Sequence, residues 1–171
     1  MSENEFLQDG QNSEKFTFGE AGRMKPGSLC MMKASDVAGG SEGFPCKVTA
    51  MSTAKPGKHG SAKAMIVAKD IFTEKQHEET FGTSDNCKVP IVKKTEYSCI
   101  DIDTETGNLT LMEQETGECR EDINLPEEGH LNQLKKDILA NFAAEKKETL
   151  VTVQDFDGHV QVCGFRTGEE M

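Results

Sequence analysis

Two segments with the pattern of β strands are joined by Lys55-Pro56-Gly57-Lys58-His59-Gly60-Ser61-Ala62. Pro56 sets φ at about −65° for the first corner of a turn, and Gly57 accepts the positive φ of the next corner. Gly60 adds a second permissive backbone position after the lysine. The pattern predicts a β hairpin whose turn projects Lys58 into solvent, with little side-chain bulk beside it. Turn chemistry alone is also typical of an ordinary solvated lysine.

The residues on both sides of this link support the hairpin. Apolar side chains occupy every second position in each flank, which is the period that a half-buried strand produces. We therefore predict strands over Phe44–Thr53 and Ala62–Phe72. They belong to a unit of short antiparallel strands that ends near Lys88.

The charge around the link differs from that of the whole chain. The chain has 171 residues, a net charge of −11 and a pI of about 4.8, and residues 95–171 alone carry −12. From Phe44 to Lys69, however, there is no Asp or Glu, and the five charged residues are Lys47, Lys55, Lys58, Lys63 and Lys69. A general nucleic-acid binder has a high pI and a broad basic face. We therefore expect any contact with phosphate-rich partners to be local and to involve the first half.

The length allows one or two small domains. Residues 1–15 are polar and acidic and are predicted to be a disordered tail. Val89-Pro90 is the candidate boundary, because proline cannot donate to a sheet ladder and keeps the preceding residue extended. The charge turns acidic beyond it. We predict one domain over residues 16–89 and a second over residues 90–171.

The sequence of the second domain predicts several strands and a single helix. The predicted strands are Thr95–Asp101, Leu109–Met112, Leu150–Gln154 and His159–Phe165. Asp157-Gly158, between the last two, is a hairpin signal. Apolar residues at helical spacing predict a helix from about His130 to Lys146. Five or so strands with one helix are typical of a small Greek-key barrel of the OB type.

Cysteine usage and the N-terminus indicate a cytoplasmic protein. The cysteines are scattered without CxxC spacing, so we expect reduced, mostly buried thiols and no disulfide framework. They are Cys30, Cys46, Cys87, Cys99, Cys119 and Cys163. The N-terminus lacks the basic and apolar regions of a signal peptide. No apolar run approaches the roughly 18 residues that span a bilayer, so we expect no membrane partner.

The sequence gives no positive case for an enzyme. Gly57-Lys58 is not a P-loop, because that motif needs glycine where the chain has Ser52 and Ser or Thr where it has His59. The histidines lack metal-ligand spacing, so no metal site is expected. Asp101 and Asp103 could be paired carboxylates, but in so acidic a segment a solvated strand end is the better interpretation.

The link and its surroundings resemble a known family. Ser52 to Lys63 is similar to the modification loop of eukaryotic translation initiation factor 5A, the hypusine-containing factor. The resemblance extends through Pro45–Val48, Asp70–Thr73, Val89-Pro90 and Gly117–Pro126, and it covers the chain from about Phe16 to its end. There are two departures: Pro56 stands where threonine is expected, and Gly39–Gly43 is an enlarged loop. Neither blocks access to Lys58.

The resemblance implies a fold for the chain and a chemical modification of Lys58. It implies an SH3-like N-terminal barrel followed by an OB-fold domain. It also implies that deoxyhypusine synthase transfers a 4-aminobutyl group from spermidine to Lys58, and that deoxyhypusine hydroxylase completes hypusine. No cofactor is implied for the chain itself, which is the substrate of those enzymes.

The implied partners are the ribosome and peptidyl-tRNA. Hypusine would support stalled peptide-bond formation, notably at consecutive prolines, and aid termination. Lys55, Pro56, Gly57, His59 and Gly60 are expected to make neighbouring contacts. A weak homodimer is a further partner state that the sequence leaves open. The alternative function is a general OB-fold RNA-binding protein, which would need stacking aromatic rings and a basic groove.

Overall fold

The computed structural model of the chain describes residues 15–32, 43–55, 60 and 62–171. These residues form two compact units, which meet in sequence between Ile91 and Val92. The predicted class, mostly β with one α helix, is confirmed within the described residues. The predicted tail, except Lys15, and the enlarged loop, except Gly43, lie outside them.

The first unit contains six strands and one 3₁₀ turn. They are β1 (Phe16–Glu20), the 3₁₀ turn Ala21–Arg23, β2 (Leu29–Met32), β3 (Phe44–Ala54), β4 (Lys63–Asp70), β5 (Gln76–Gly82) and β6 (Asn86–Pro90). One sheet has the order β2-β3-β4-β5 and curls into the half-barrel expected of an SH3-like domain. The other sheet is the antiparallel ribbon β1-β6.

The alternation seen in the sequence produces the core of this unit. In β4, Ala64, Ile66 and Ala68 are fully buried and face the core, whereas the residues between them are more exposed. A bulge in β3 between Val48 and Ala50 interrupts the register with β4. Such a bulge bends a strand and increases its twist. It therefore helps the sheet to curl over its core.

Two details of the first unit differ from the prediction. Strand β4 ends at Asp70 and not at Phe72, because the Asp70 carboxylate accepts hydrogen bonds from the backbone N–H groups of Phe72 (2.7 Å) and Thr73 (3.2 Å). These bonds close a turn. Strand β5 covers a charged stretch that gave no clear strand signal. Its alternate residues are half-buried, and the His77 ring stacks on Phe44 with centroids 5.1 Å apart.

The second unit is a five-stranded antiparallel sheet with one α helix. Its elements are β7 (Lys93–Ile102), β8 (Asn108–Glu113), β9 (Cys119–Asn124), the 3₁₀ turn Gly129–Leu131, α1 (Asn132–Ala144), β10 (Lys147–Phe156) and β11 (His159–Glu170). The sheet order is β11-β10-β7-β8-β9. The predicted Asp157-Gly158 turn is confirmed: both residues have positive φ, 51° and 86°, as a type I′ hairpin turn requires.

The helix of the second unit is shorter than predicted at both ends. It begins after the 3₁₀ turn and ends before Glu145, whose φ of 52° is left-handed and stops the α-helical hydrogen-bonding pattern. Ile138 is fully buried, and Leu134, Leu139 and Phe142 pack against the same core. Within the described ranges, no helix combines the length and apolar character needed to cross a membrane.

Candidate functional site

The predicted hairpin is formed by β3 and β4. Their ladder continues to the pair Ala54 and Lys63, so the eight residues 55–62 link the two strands. Of the predicted site residues, Lys55 is exposed and Gly60 is half-buried. The others, Pro56, Gly57, Lys58 and His59, lie outside the described residues.

The C-terminal base of the link is held by a chain of backbone hydrogen bonds. The Thr83 N–H donates to the Ala62 carbonyl (3.1 Å), and the Gly22 N–H donates to the Thr83 carbonyl (2.9 Å). The Ala21 N–H donates to the Asp85 carbonyl (2.9 Å). The turn between β5 and β6 therefore connects the link to the 3₁₀ turn Ala21–Arg23. We call this set of bonds the loop brace.

The loop brace depends on a glycine. A Cβ atom at Gly22 would lie 3.0 Å from both the Cβ and the carbonyl oxygen of Thr83. That is shorter than an ordinary van der Waals contact, so only glycine lets the 3₁₀ turn approach the β5–β6 turn this closely. Sequence reasoning missed Gly22 and Thr83. The only signal was a glycine outside any turn motif.

The two arms of the hairpin are supported differently. Strand β4 pairs with β3 on one side and β5 on the other, up to Lys63, the residue directly after the link. Residues 50–54 of β3 pair only with β4 among the described strands, because the β2 register stops at Lys47. Ser52, Thr53 and Ala54 are exposed and small. One arm is therefore fixed inside the sheet, and the other is an edge with little steric bulk.

The lysines of the acid-free stretch lie on the outer surface of this sheet or at the link. Lys47, Lys55, Lys63 and Lys69 are all exposed. Lys47 and Lys69 are directly opposite each other in the register, an arrangement that is destabilising by itself. Glu78, opposite Val67, brings a carboxylate to the same face, but lysines outnumber it. The hairpin therefore has a locally positive outer surface that favours anionic partners.

Buried thiols occupy the core and not the site. Burial raises the pKa of the Cys30 and Cys46 thiols to about 12, so few of them ionise at neutral pH. The prediction that most cysteines are buried is confirmed: four of the six are buried, Cys163 is half-buried, and only Cys119 is exposed. The described residues contain no group of metal-ligating side chains.

The two carboxylates singled out in the second unit are part of a turn. Asp103 accepts hydrogen bonds from the backbone N–H groups of Thr106 (3.3 Å) and Glu105 (3.0 Å), which hold its pKa below the usual range. Asp101 is exposed at the end of its strand. Their geometry is that of a solvated strand end, which was the preferred interpretation.

Comparison with known proteins agrees with this architecture. Residues 17–85 match the family model of the translation initiation factor 5A-like N-terminal domain. Residues 91–166 match the model described as eukaryotic elongation factor 5A hypusine, DNA-binding OB fold. Both models describe translation factors, and the second confirms the predicted OB fold.

Individual relatives give the same result. The chain is 42% identical to eukaryotic translation initiation factor 5A-5 of Solanum tuberosum over 71% of this chain and 73% of that protein. It is 38% identical to factor 5A-3 of Arabidopsis thaliana over 86% of this chain and 84% of that protein. A solved structure of a family protein from Naegleria fowleri aligns with a TM-score of 0.75 and 34% identity, covering 89% of this chain and 99% of that one. The chain belongs to the eukaryotic translation initiation factor 5A family.

Proposed function

We propose that Lys58 is the hypusine site of this chain and that the modified hairpin acts on the ribosome. The observation that carries the proposal is the hairpin formed by β3 and β4. The chain belongs to this family, and the residues that link the two strands have the family's loop motif. Lys58 is the fourth of the eight linking residues, near the middle of the link. The loop brace and the interior position of β4 give that link a fixed base.

The chemistry of the modification fits such a link. A lysine amine is a nucleophile only when it is deprotonated, and an unperturbed lysine has a pKa of about 10.4. Deoxyhypusine synthase must therefore take Lys58 into its own pocket and deprotonate it. A C–N bond then forms between the Lys58 amine and the 4-aminobutyl group of spermidine, while the C–N bond between that group and the secondary amine of spermidine breaks and 1,3-diaminopropane leaves. The small exposed residues at the end of β3 would leave room for that enzyme. The hydroxylase acts next.

The product is a longer side chain with a second amine. Two positive charges on one flexible chain suit a cleft lined with phosphate groups, such as the ribosomal site of peptidyl-tRNA. Holding the acceptor end of that tRNA in place would lower the entropic part of the barrier to peptide-bond formation. This effect matters most where the reaction is slow, as at consecutive prolines and at termination. The protein would act in the cytoplasm.

The neighbouring residues of the link would contact the same partners. Lys55 is exposed at the first position after β3, and its charge would lie beside the tRNA or ribosomal RNA backbone. Pro56, Gly57, His59 and Gly60 would shape the backbone around Lys58 and allow close approach.

The alternative of a general OB-fold RNA-binding protein is weaker. Its stacking platform would use the aromatic rings of the second unit. Tyr97 and Phe156 are buried, however, and Phe142 and Phe165 pack against the core. The Tyr97 hydroxyl also accepts a hydrogen bond from Arg120 (3.0 Å). These rings are therefore used for folding, and the second unit is strongly acidic.

The test is a translation reporter in cells that depend on this chain. One reporter carries a run of prolines, and a second lacks it. With Lys58→Arg we expect reduced output from the proline reporter only, because arginine keeps a charge but cannot accept the aminobutyl group. Lys55→Arg is the matched control, and we expect nearly normal output. Normal translation of the proline reporter by Lys58→Arg would refute the proposal.

A further inference from the structure

A groove in the second unit has apolar side chains that are open to solvent. It lies where the end of α1 approaches β7, β10 and β11, and its volume is about 480 Å³. This is within the range of about 300–1,000 Å³ that is typical of ligand pockets. Its apolar lining includes Ile100, Phe142 and Met171, of which Ile100 is 46% exposed and Met171 is 81% exposed. The Met171 N–H donates to the Lys146 carbonyl (3.0 Å), which keeps this residue beside the groove.

A bulge in β7 accounts for the exposure of Ile100. The register with β8 passes from Cys99 to Asp101, so Ile100 is an extra residue that has no partner on β8. Bulges of this kind redirect a side chain and are common beside functional sites. Since an apolar side chain is stabilised by removal from water, a partner that covered Ile100 would bind favourably.

A fixed carboxylate lines the same groove. Glu148 is half-buried and accepts a hydrogen bond from the hydroxyl of buried Ser98 (2.8 Å). A Cβ atom at Gly168 would lie 2.7 Å from a Glu148 carboxylate oxygen, so the glycine leaves the space that this side chain occupies. The Arg166 guanidinium is nearby, but it already pairs with both oxygens of the Glu96 carboxylate (2.6 and 2.7 Å). The charge of Glu148 is therefore held in place by a neutral donor.

The exposed edge of the groove adds further negative charge. Glu145 and Glu169 are exposed, and neither forms an ion pair with any described residue. Lys147, the single cation among the described lining residues, lies opposite Glu170 in the register and offsets that carboxylate. The carboxylates of Glu145, Glu148 and Glu169 are therefore left for a partner.

These features favour one kind of occupant. A second copy of this chain would bring the same carboxylates against each other across a two-fold interface, which is repulsive. A purely apolar segment would cover the Glu148 carboxylate without pairing it, which is costly. A segment that alternates arginine with apolar residues avoids both costs. Arginine pairs with carboxylates in a bidentate manner, and its methylene groups pack on apolar side chains.

We propose that this groove binds a basic amphipathic segment of a partner protein. An apolar side chain of the segment covers Ile100 and Met171, and its arginines pair with Glu148 and with the exposed carboxylates of Glu145 and Glu169. This interaction goes beyond the proposed function, because it requires neither Lys58 nor the other residues of the link.

The test measures, by anisotropy, binding of a short fluorescent peptide in which arginine alternates with leucine. The full chain is purified from bacteria, where Lys58 is expected to be unmodified, so a failure here is separable from a failure of the hypusine proposal. Ile100→Ala should weaken binding about 3- to 12-fold, since the partner covers about half of an isoleucine side chain. Met65→Ala is the matched control and should bind as wild type does, because Met65 is a 50% exposed apolar side chain of the first unit.

The charge contribution is tested separately. Glu145→Gln combined with Glu169→Gln should weaken binding about 2- to 30-fold, the effect of losing two exposed ion pairs. Glu105→Gln combined with Glu115→Gln is the matched control, because it changes the net charge equally at exposed turn positions outside the groove. It should retain wild-type affinity at physiological salt, where distant exposed charges are screened.

Three results would overturn the proposal. The first is that the wild-type chain does not bind the peptide, or that either groove variant binds it as tightly as wild type. The second is equal binding of a peptide with serine in place of leucine, since the acidic unit would then attract any cationic peptide. The third is self-association in sedimentation that Ile100→Ala abolishes, since a second copy would then cover the groove.

Discussion

Gly22→Ala tests the loop brace directly. The new methyl group would lie 3.0 Å from the Thr83 carbonyl oxygen, which belongs to the backbone and cannot rotate away. Overpacking of this kind costs about 1–3 kcal/mol, and the reduced freedom of the unfolded chain returns about 0.4–1 kcal/mol. We therefore expect a net loss of about 1–2 kcal/mol from the free energy of unfolding of the first unit.

The same substitution should loosen the base of the link. Moving the β5–β6 turn lengthens the bond from the Thr83 N–H to the Ala62 carbonyl, which is 3.1 Å in the native chain. Native-state hydrogen exchange with mass spectrometry would follow this amide together with the global stability. We expect faster exchange in peptides that contain Thr83, with less change in peptides from the second unit.

Gly19→Ala is the matched control in the same unit. Its added Cβ would meet the terminal methyl group of Met24 at 3.3 Å, and a flexible side chain can move away. We expect a change in unfolding free energy within about 0.5 kcal/mol. If Gly22→Ala were as stable as Gly19→Ala and protected Thr83 as well as wild type does, the reasoning about the brace would be wrong.

Three further predictions concern other parts of the chain. Ile138→Ala should lower the free energy of unfolding of the second unit by about 2–5 kcal/mol, measured by denaturant unfolding, because Ile138 is fully buried. Ile100→Ala, at a 46% exposed position, should lower it by about 0.5 kcal/mol or less. Equal costs would contradict the burial of Ile138 in the core. A thiol reagent at neutral pH should label the exposed Cys119 in the native chain. Cys46 is buried and its pKa is about 12, so it should be labelled only after unfolding. Rapid labelling of Cys46 in the native chain would contradict its burial. The pKa of Asp122 is lowered by its guanidinium partner, so the carboxylate adds to the free energy of unfolding above its unfolded pKa of about 3.9, and this contribution is lost as pH falls through the lower folded pKa. Asp122→Asn should therefore cost at most about 1 kcal/mol at neutral pH and nothing in strong acid. A cost that grows as the pH falls would refute this sign.

Local patterns predicted much of the fold because several elements have strong local signals. Asp157-Gly158 supplies the two positive φ values of its turn, and the alternation around residues 44–53 and 62–72 located the central hairpin within two residues at each end. The ends of β4 and α1 were less accurate, since a side-chain bond from Asp70 and the left-handed Glu145 fix them.

Elements that depend on distant residues could not be predicted. Strand β9 is a polar edge strand in which only Ile123 is buried, so it has almost no alternation to detect. The loop brace joins residues about 20 to 60 positions apart through backbone atoms, which leave no mark on the sequence except the need for Gly22. The motif around Lys58 predicted the site without any of these contacts.

The mass of the Lys58 peptide is the measurement that tests the central claim most directly. The chain is purified from its native cells, the peptide is fragmented, and the copy made in bacteria is the control. The account predicts that Lys58 in the native sample carries one hydroxylated 4-aminobutyl group and that the bacterial copy carries none. An unmodified Lys58 in the native sample, or the same group found on Lys55 instead, would contradict it.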